Sequence, residues 1–222
     1  MISLKAESFT ENEIIDPFRV IRYLENNIPR QKISTEIVVE ILKKLARRIK
    51  GIRVSYRKVR SVKNCIAING YYDHSKRSSI EIEVCCNSFK KYFNIDKKLH
   101  RALVYDIADT LCHESIHRYQ YRSRDNTIEF FEQDVNEEHR YYSDPDEMFA
   151  FAANISHSLF RQYGSEAINE LKNIENILKF DPYFSDYYVL FYPQPKFKKI
   201  VKMVYLNLLA IEQGKILYRP SN

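Results

Sequence analysis

Apolar positions recur with a helical period towards both ends of the chain and with a period of two in a short stretch between. The clearest helical signal is Leu103, Val104, Ile107, Ala108, Leu111 and Cys112. At about 100° per residue these fill one broad arc, which predicts a long helix from about Lys97 to Gln120. Earlier, 16–26 reads as a helix, with Asp16 at the N-cap, Pro17 at N1, and Phe18, Ile21 and Leu24 on one side. Ser34 or Thr35 caps a second helix running to about Lys50, its apolar side Ile37, Val38, Ile41, Leu42 and Leu45. Gly51 ends it. The alternations Ile52/Val54/Tyr56, Ile66/Ile68 and Ile80/Ile82/Val84 then predict three short strands, each with one buried face. Gly70–Ser79 reads as the hairpin loop joining the last two, and Asn87–Asp96 as a connector with a helical turn.

Beyond the long helix, 121–143 reads as a polar loop rich in acids. A helix starts at Asp144-Pro145 and runs to Tyr163, closed by Gly164. Ser165 caps the next, with Ile168, Leu171, Ile174 and Leu178 inward; 181–195 is aromatic and irregular. A last helix carries Phe197, Ile200, Val201, Val204, Leu208 and Ile211, closed by Gly214. The expected class is α+β: a small, mostly antiparallel three-stranded sheet packed on the long helix, with helical additions at both ends. The expected organisation is a single domain, 1–222, with a helical N-terminal region (1–50), a core (51–160) and a helical C-terminal region (161–222).

Composition narrows the setting. With 45% hydrophobic and 29% charged residues, the chain resembles a soluble globular protein. No apolar run approaches the ~18 residues of a membrane helix, and the first residues, Met1-Ile-Ser-Leu-Lys, carry no apolar leader core. A membrane partner is not expected, and the expected compartment is the cytoplasm. Cys65, Cys85, Cys86 and Cys112 form no C-x-x-C pair and fit small buried hydrophobes. The net charge is +6. The basic run Lys43–Lys63 permits a nucleic-acid contact, although a solvated helix face continuing into a strand is the preferred reading.

Chemistry enters at His113-Glu114-Ser115-Ile116-His117, an H-E-x-x-H run inside the long helix. Residues four apart lie one turn above the other. Both imidazoles can thus reach one metal ion, with Glu114 beside them as the base acting on water. His113 and His117 fall outside the apolar arc, on a polar stripe with Asp106 and Thr110. The metal expected is Zn2+. Catalytic zinc takes three protein ligands, and the candidates for the third are Glu147, His139 and the acids of 129–138. Glu147 is preferred because it opens a separate helix followed by the small Ala150, Ala152 and Ala153. The bland alternative is a capping box in which Glu147 reaches back to Asp144. A completion of the metzincin type needs Gly at 120 and His at 123, where the chain has Gln120 and Ser123.

His113-Glu-Ser-Ile-His117-Arg-Tyr-Gln120, followed by Tyr141-Tyr142-Ser-Asp-Pro145-Asp-Glu147-Met-Phe-Ala150-Phe-Ala152, resembles phage-type zincin metallopeptidases of the gluzincin-like kind. Its latter half also resembles the E-x-x-A segment of the ImmA/IrrE metallopeptidases. The likeness spans about 50–155 and is one of pattern. It implies a zincin-like core, His113, His117 and Glu147 as zinc ligands, Glu114 as general base, and a peptide or protein substrate. A phage origin would put the protein in the host cytoplasm or the virion. Completion by His139 would instead resemble SprT-type proteases, which fits a nucleic-acid-associated enzyme.

The expected activity is therefore zinc-dependent peptide hydrolysis. Tyr141 or Tyr142 is placed to donate to the oxyanion; Asp106, Thr110, Gln120, Asn154 and His157 are candidates to orient the imidazoles. The strand Ser78–Cys85, read as a sheet edge, would take up an extended peptide. The rivals are a non-catalytic virion or complex component on a similar scaffold and a nucleic-acid-binding module.

Overall fold

In the computed structural model, residues 10, 11, 13–59, 66–73, 79–87, 92–124 and 137–217 are described. The chain is α+β and divides into two units, Met1–Thr127 and Ile128–Asn222.

The first unit is built around one helix. Strands Thr10–Glu11 (β1) and Ile14–Ile15 (β2) pair around Glu13, which takes a positive φ of 75°. Helix α1, Pro17–Asn27, starts where expected: Asp16 accepts from the backbone N–H of Phe18 and Arg19. Its buried side is Pro17, Val20, Ile21 and Leu24, so Val20 takes the place expected for Phe18. Strand β3, Lys32–Ser34, leads into helix α2, Thr35–Ala46. This helix stops short of Lys50, and Val39 faces inward while Ile37 is 43% exposed. Gly51, at φ 80°, supplies the left-handed turn into the sheet.

Strands β4 (Ile52–Val59), β5 (Ile66–Asp73) and β6 (Ser79–Asn87) form that sheet in the order β4-β6-β5. The pairing corrects two expectations. β4 runs parallel to β6 while β5 runs antiparallel to it, so the sheet is mixed and not mostly antiparallel. The strand expected at the edge, Ser78–Cys85, is mostly β6 and lies in the centre, with Ser78 outside the described residues. Alternation along a strand fixes which face each side chain takes; it carries no information on neighbour order. β6 is the most apolar of the three, with Ile80, Ile82, Val84, Cys85 and Cys86 all buried. Gly70 lies inside β5 and not in the hairpin loop, whose residues 74–78 are outside the described set. The connector expected at 87–96 contains strand β7, Tyr92–Asn94, paired antiparallel with β3. Cys85, Cys86 and Cys112 are buried thiols, as expected; Cys65 lies outside the described residues.

Helix α3, Lys97–Ser123, begins at Asp96, whose carboxylate accepts from Leu99 N at 2.7 Å. Its apolar arc enters the core made by α1, α2 and the sheet. Four polar contacts fix its rotation and height. His100 Nε2 donates to Ile28 O (2.9 Å), and Ser115 Oγ accepts from Ile15 N (2.9 Å). Arg118 donates to Lys50 O (3.0 Å) and to Glu13 O (2.9 Å).

The second unit is helical. The segment expected as loop contains α4, Glu137–Ser143; Glu129, Glu132 and Asp134 lie outside the described residues. Helix α5, Pro145–Tyr163, ends at Gly164 with φ 57°. The single helix expected after Ser165 is instead broken into a 3-10 turn (Gly164–Glu166), α6 (Ala167–Glu170) and α7 (Ile174–Leu178). The stretch expected to be irregular holds helix α8, Pro182–Phe191, capped by Asp181. Helix α9, Pro195–Glu212, buries Phe197, Ile200, Val204, Leu208 and Ile211 and leaves Val201 half-buried. Among the described residues no helix is long and apolar enough to cross a membrane.

Two predictions test these contacts. A Cβ on Gly70 would collide with Thr110 Cγ2 and stand 3.1 Å from Glu114 Cγ. Threonine in a helix is stiff at χ1, so Gly70→Ala should cost about 1–3 kcal/mol. Adding Thr110→Ser, which removes the methyl, should restore most of it in a denaturant titration. An undiminished midpoint for Gly70→Ala alone would refute the close approach. The second concerns His157 of α5, fully buried, with Nε2 donating to Ile216 O at 2.9 Å. Burial pushes its imidazole down to about 4; Arg161 adds to this and the Ile216 carbonyl opposes it. The unfolded chain takes up that proton near pH 6.5, so the stabilisation is full above 6.5. It falls away as the pH drops towards 4, by about 3 kcal/mol in all. Hydrogen exchange in α5 and α9 should accelerate over that window, and His157→Gln should flatten the slope. Equal slopes in the two proteins would remove His157 as its source.

Candidate metal centre

His113, Glu114 and His117 sit in the one turn of α3 where burial runs round the helix: 111–116 and Arg118 are all buried. Ser115 and Arg118 are engaged with β2, Glu13 and Lys50, as above. The two histidines turn their Nε2 atoms towards each other at 3.0 Å. Their rings meet edge to face, with centroids 4.7 Å apart at 75°. A tetrahedral ion ~2.0–2.1 Å from each of two nitrogens holds them ~3.4 Å apart, so the pair needs only a slight opening to receive one. His117 Nδ1 meets Gln120 Oε1 at 3.2 Å. An amide oxygen only accepts, so Nδ1 carries the proton and Nε2 keeps its lone pair for a metal.

Glu114 is buried at 8% exposure, beside the glycine of β5. Gly70 is a site-shaping residue that the alternation pattern hid. A lone glycine inside a strand pattern marks a close approach of another element, and that was the available signal.

Glu147 lies in the first turn of α5, at the position a capping-box acid occupies. Asp144 caps the helix, accepting from Asp146 N (2.7 Å) and Glu147 N (3.4 Å). A reciprocal box needs the Glu147 carboxylate to take the Asp144 N–H. That N–H already donates to Arg140 O (3.1 Å) and Tyr141 O (3.2 Å), carbonyls of α4. The Asp144 N–H thus has acceptors besides the Glu147 carboxylate, whose Oε2 is buried. His113, His117 and Glu147 each offer one ligand atom, and these atoms all lie within 4.8 Å of one another, so the group can hold a metal ion.

The other candidates fall elsewhere. His139 lays its ring on Phe191, with centroids 4.6 Å apart, and is not in the group. Tyr142 donates to Asp186 Oδ2 at 2.9 Å; burial and that carboxylate push its phenol up. Tyr141 is 45% exposed and packs edge-on against Tyr142 and Phe151. Of the residues expected to orient the imidazoles, Gln120 makes such a contact. Thr110 packs at Gly70, Asp106 is exposed, Asn154 is buried, and His157 is committed to Ile216 O.

A further residue enters from α8. Tyr187 is fully buried, its ring set against Tyr142 (5.3 Å), Phe151 (6.0 Å) and Phe191 (5.8 Å). Burial pushes its phenol up, and the Glu147 carboxylate adds most among the charges around it. The Asp181-Pro182 start, the same N-cap and N1 pair used at α1 and α5, could have revealed this helix.

Comparison with family models, with curated proteins and with solved structures finds no match to this chain.

Proposed function

We propose that the chain is a zinc-dependent peptidase of zincin-like design. The observation that carries this reading is the convergence of donor atoms from His113, His117 and Glu147 within 4.8 Å. Three protein donors leave a tetrahedral ion one position for solvent or substrate, the open coordination expected of a catalytic site. Zinc held there would supply Lewis-acid polarisation of a carbonyl and would lower the pKa of water from ~15.7 to ~7.

The remaining work falls to the chain's own groups. Glu114, next to His113 on the helix, takes the proton of the attacking water and returns it to the leaving amine. Gln120 holds His117 in the tautomer that presents Nε2. Tyr141 is the better oxyanion donor of the tyrosine pair, since the Tyr142 hydroxyl is engaged by Asp186. The central β6 has both edges occupied and cannot take up a peptide. The outer edge of β5 is unpaired among the described residues, and this strand passes Glu114 at Gly70. An extended substrate would pair along it, its backbone supplying the hydrogen bonds.

Glu114→Gln should keep stoichiometric zinc and lose ~10²–10⁴ in the rate of cleaving a quenched-fluorescence peptide library. His113→Ala should lose the metal itself. Undiminished cleavage by Glu114→Gln would remove that residue from the mechanism. Purified protein without zinc by elemental analysis would defeat the whole reading.

A second reading has its own observation. Between Glu40 and Asp73 the sequence carries ten Lys and Arg and no acid. Lys43, Lys44, Arg47, Arg48, Lys50, Arg53, Arg57 and Lys58 are exposed, while Arg60 and Lys63 lie outside the described residues. Lys43 pairs with Glu40, Arg57 pairs with Glu83, and Arg48 lies over Tyr23. The other five exposed cations form no ion pair among the described residues. Such a surface suits a phosphate backbone. If those five each meet one phosphate of duplex DNA, log affinity should fall against log salt with a slope of about −4.5. Absence of binding at low salt would end this reading and leave the peptidase untouched.

A further inference from the structure

One group in the second unit that its packing does not explain is the Tyr187 hydroxyl. The ring is held on three sides by Tyr142, Phe151 and Phe191 and is fully buried. The hydroxyl is buried too and makes no hydrogen bond among the described residues. Its neighbour shows the usual solution, for the Tyr142 hydroxyl donates to Asp186. A phenylalanine at 187 would fill the same space without burying a polar atom, so the hydroxyl calls for another explanation.

Its position supplies one. Phe151 follows Glu147 by four residues on α5, so the two side chains share a face one turn apart. The Tyr187 ring packs on Phe151, and Glu147 is the charge that bears most strongly on its hydroxyl. Glu147 Oε2 is itself buried. A carboxylate that ligates a metal through one oxygen commonly has the other held by a hydrogen-bond donor, which fixes its orientation. A phenol suits this better than an ammonium or guanidinium group. It donates one directed hydrogen bond and adds no positive charge beside a cation.

We propose that Tyr187 is a positioning residue for Glu147, donating to its carboxylate when a metal ion occupies the His113–His117–Glu147 group. The inference rests on the metal-binding reading above and extends it to a residue from a different helix. It also gives the aromatic cluster of the second unit a role, since Tyr142, Phe151 and Phe191 hold the phenol so that its one polar atom is presented in a fixed place.

The test is Tyr187→Phe in the full chain, with Zn2+ alone as the probe. Affinity is read by competition with a chromophoric chelator, and geometry by the visible spectrum of the Co2+ form. Removal of the hydroxyl should weaken Zn2+ binding 10–100-fold and alter the Co2+ spectrum. The melting temperature of the metal-free protein should stay level or rise, because an unmatched buried hydroxyl is lost. In a Glu147→Gln background, Tyr187→Phe should bring no further loss of affinity, since the two act as one unit. Equal Zn2+ affinity of wild type and Tyr187→Phe would overturn the proposal while leaving the metal site standing. An equally large loss in the Glu147→Gln background would also overturn it, by showing a general structural effect. A wild-type protein that binds no Zn2+ would overturn the metal-binding reading itself and this proposal with it.

Discussion

The structure depends on one turn of helix, 113–118, in which polar groups are buried on both sides. A buried polar side chain without a partner is costly, and a buried charge more so. On one side the cost is offset within the protein: Arg118 is shared between the carbonyls of Glu13 and Lys50, and Ser115 bridges Ile15 N and Cys112 O. These bonds tie β2, the β1–β2 turn and the turn between α2 and β4 to the helix that carries the histidines. On the other side lie His113, Glu114 and His117, and their arrangement is suited to a guest ion. The same turn is thus a structural anchor and part of a group that could hold a metal ion. The anchoring bonds set the rotation of α3, which fixes the direction of the imidazoles.

Close packing of the sheet against that helix is the matching constraint. β5 can lie against α3 at Thr110 and Glu114 because residue 70 has no side chain. Cross-strand register then fixes the rest: Gly70 opposes Ile82 of the central strand, and Ile82 is buried in the core that receives Ile107 and Leu111. A shift of β5 by one residue would exchange Gly70 for Asn69 or Tyr71 at the helix and turn its apolar residues outward. Glu114 therefore owes its setting to a glycine on an earlier strand as much as to its own helix.

Local signals were legible in the sequence where chemistry and backbone need coincide. Asp16-Pro17 and Asp144-Pro145 gave helix starts to the residue, and Gly164 and Gly214 marked stops at positive φ; Gly51 marked the turn into β4, five residues beyond the end of α2 at Ala46. The pairing of His113 with His117 followed from helical spacing alone. What stayed hidden was non-local or short. β3 and β7 have three residues each, too few to show a period, and each is specified by the other across the chain. The order β4-β6-β5 depends on which strand gains most from two neighbours, a property that alternation does not encode. Helix α8 carried the same Asp-Pro start as the others, but six aromatic residues from Tyr183 to Tyr192 masked its period. Tyr187 was lost with it.

Glu147 illustrates how a backbone detail can decide a chemical role. An acid at the third position of a helix is ordinarily recruited by the N-cap amide. Here α4 ends directly against α5, and its last carbonyls, from Arg140 and Tyr141, take that amide first. The cap itself is completed by the Asp144 side chain, which serves two N–H groups without help. Both halves of the box thus have partners that do not require Glu147. The buried Oε2 and the phenol of Tyr187 then become the relevant neighbours. The short helix α4 and the aromatic helix α8 were both absent from the expected elements. Together they set the surroundings of a residue that looks like a capping acid in sequence and whose carboxylate belongs to a group that could hold a metal ion.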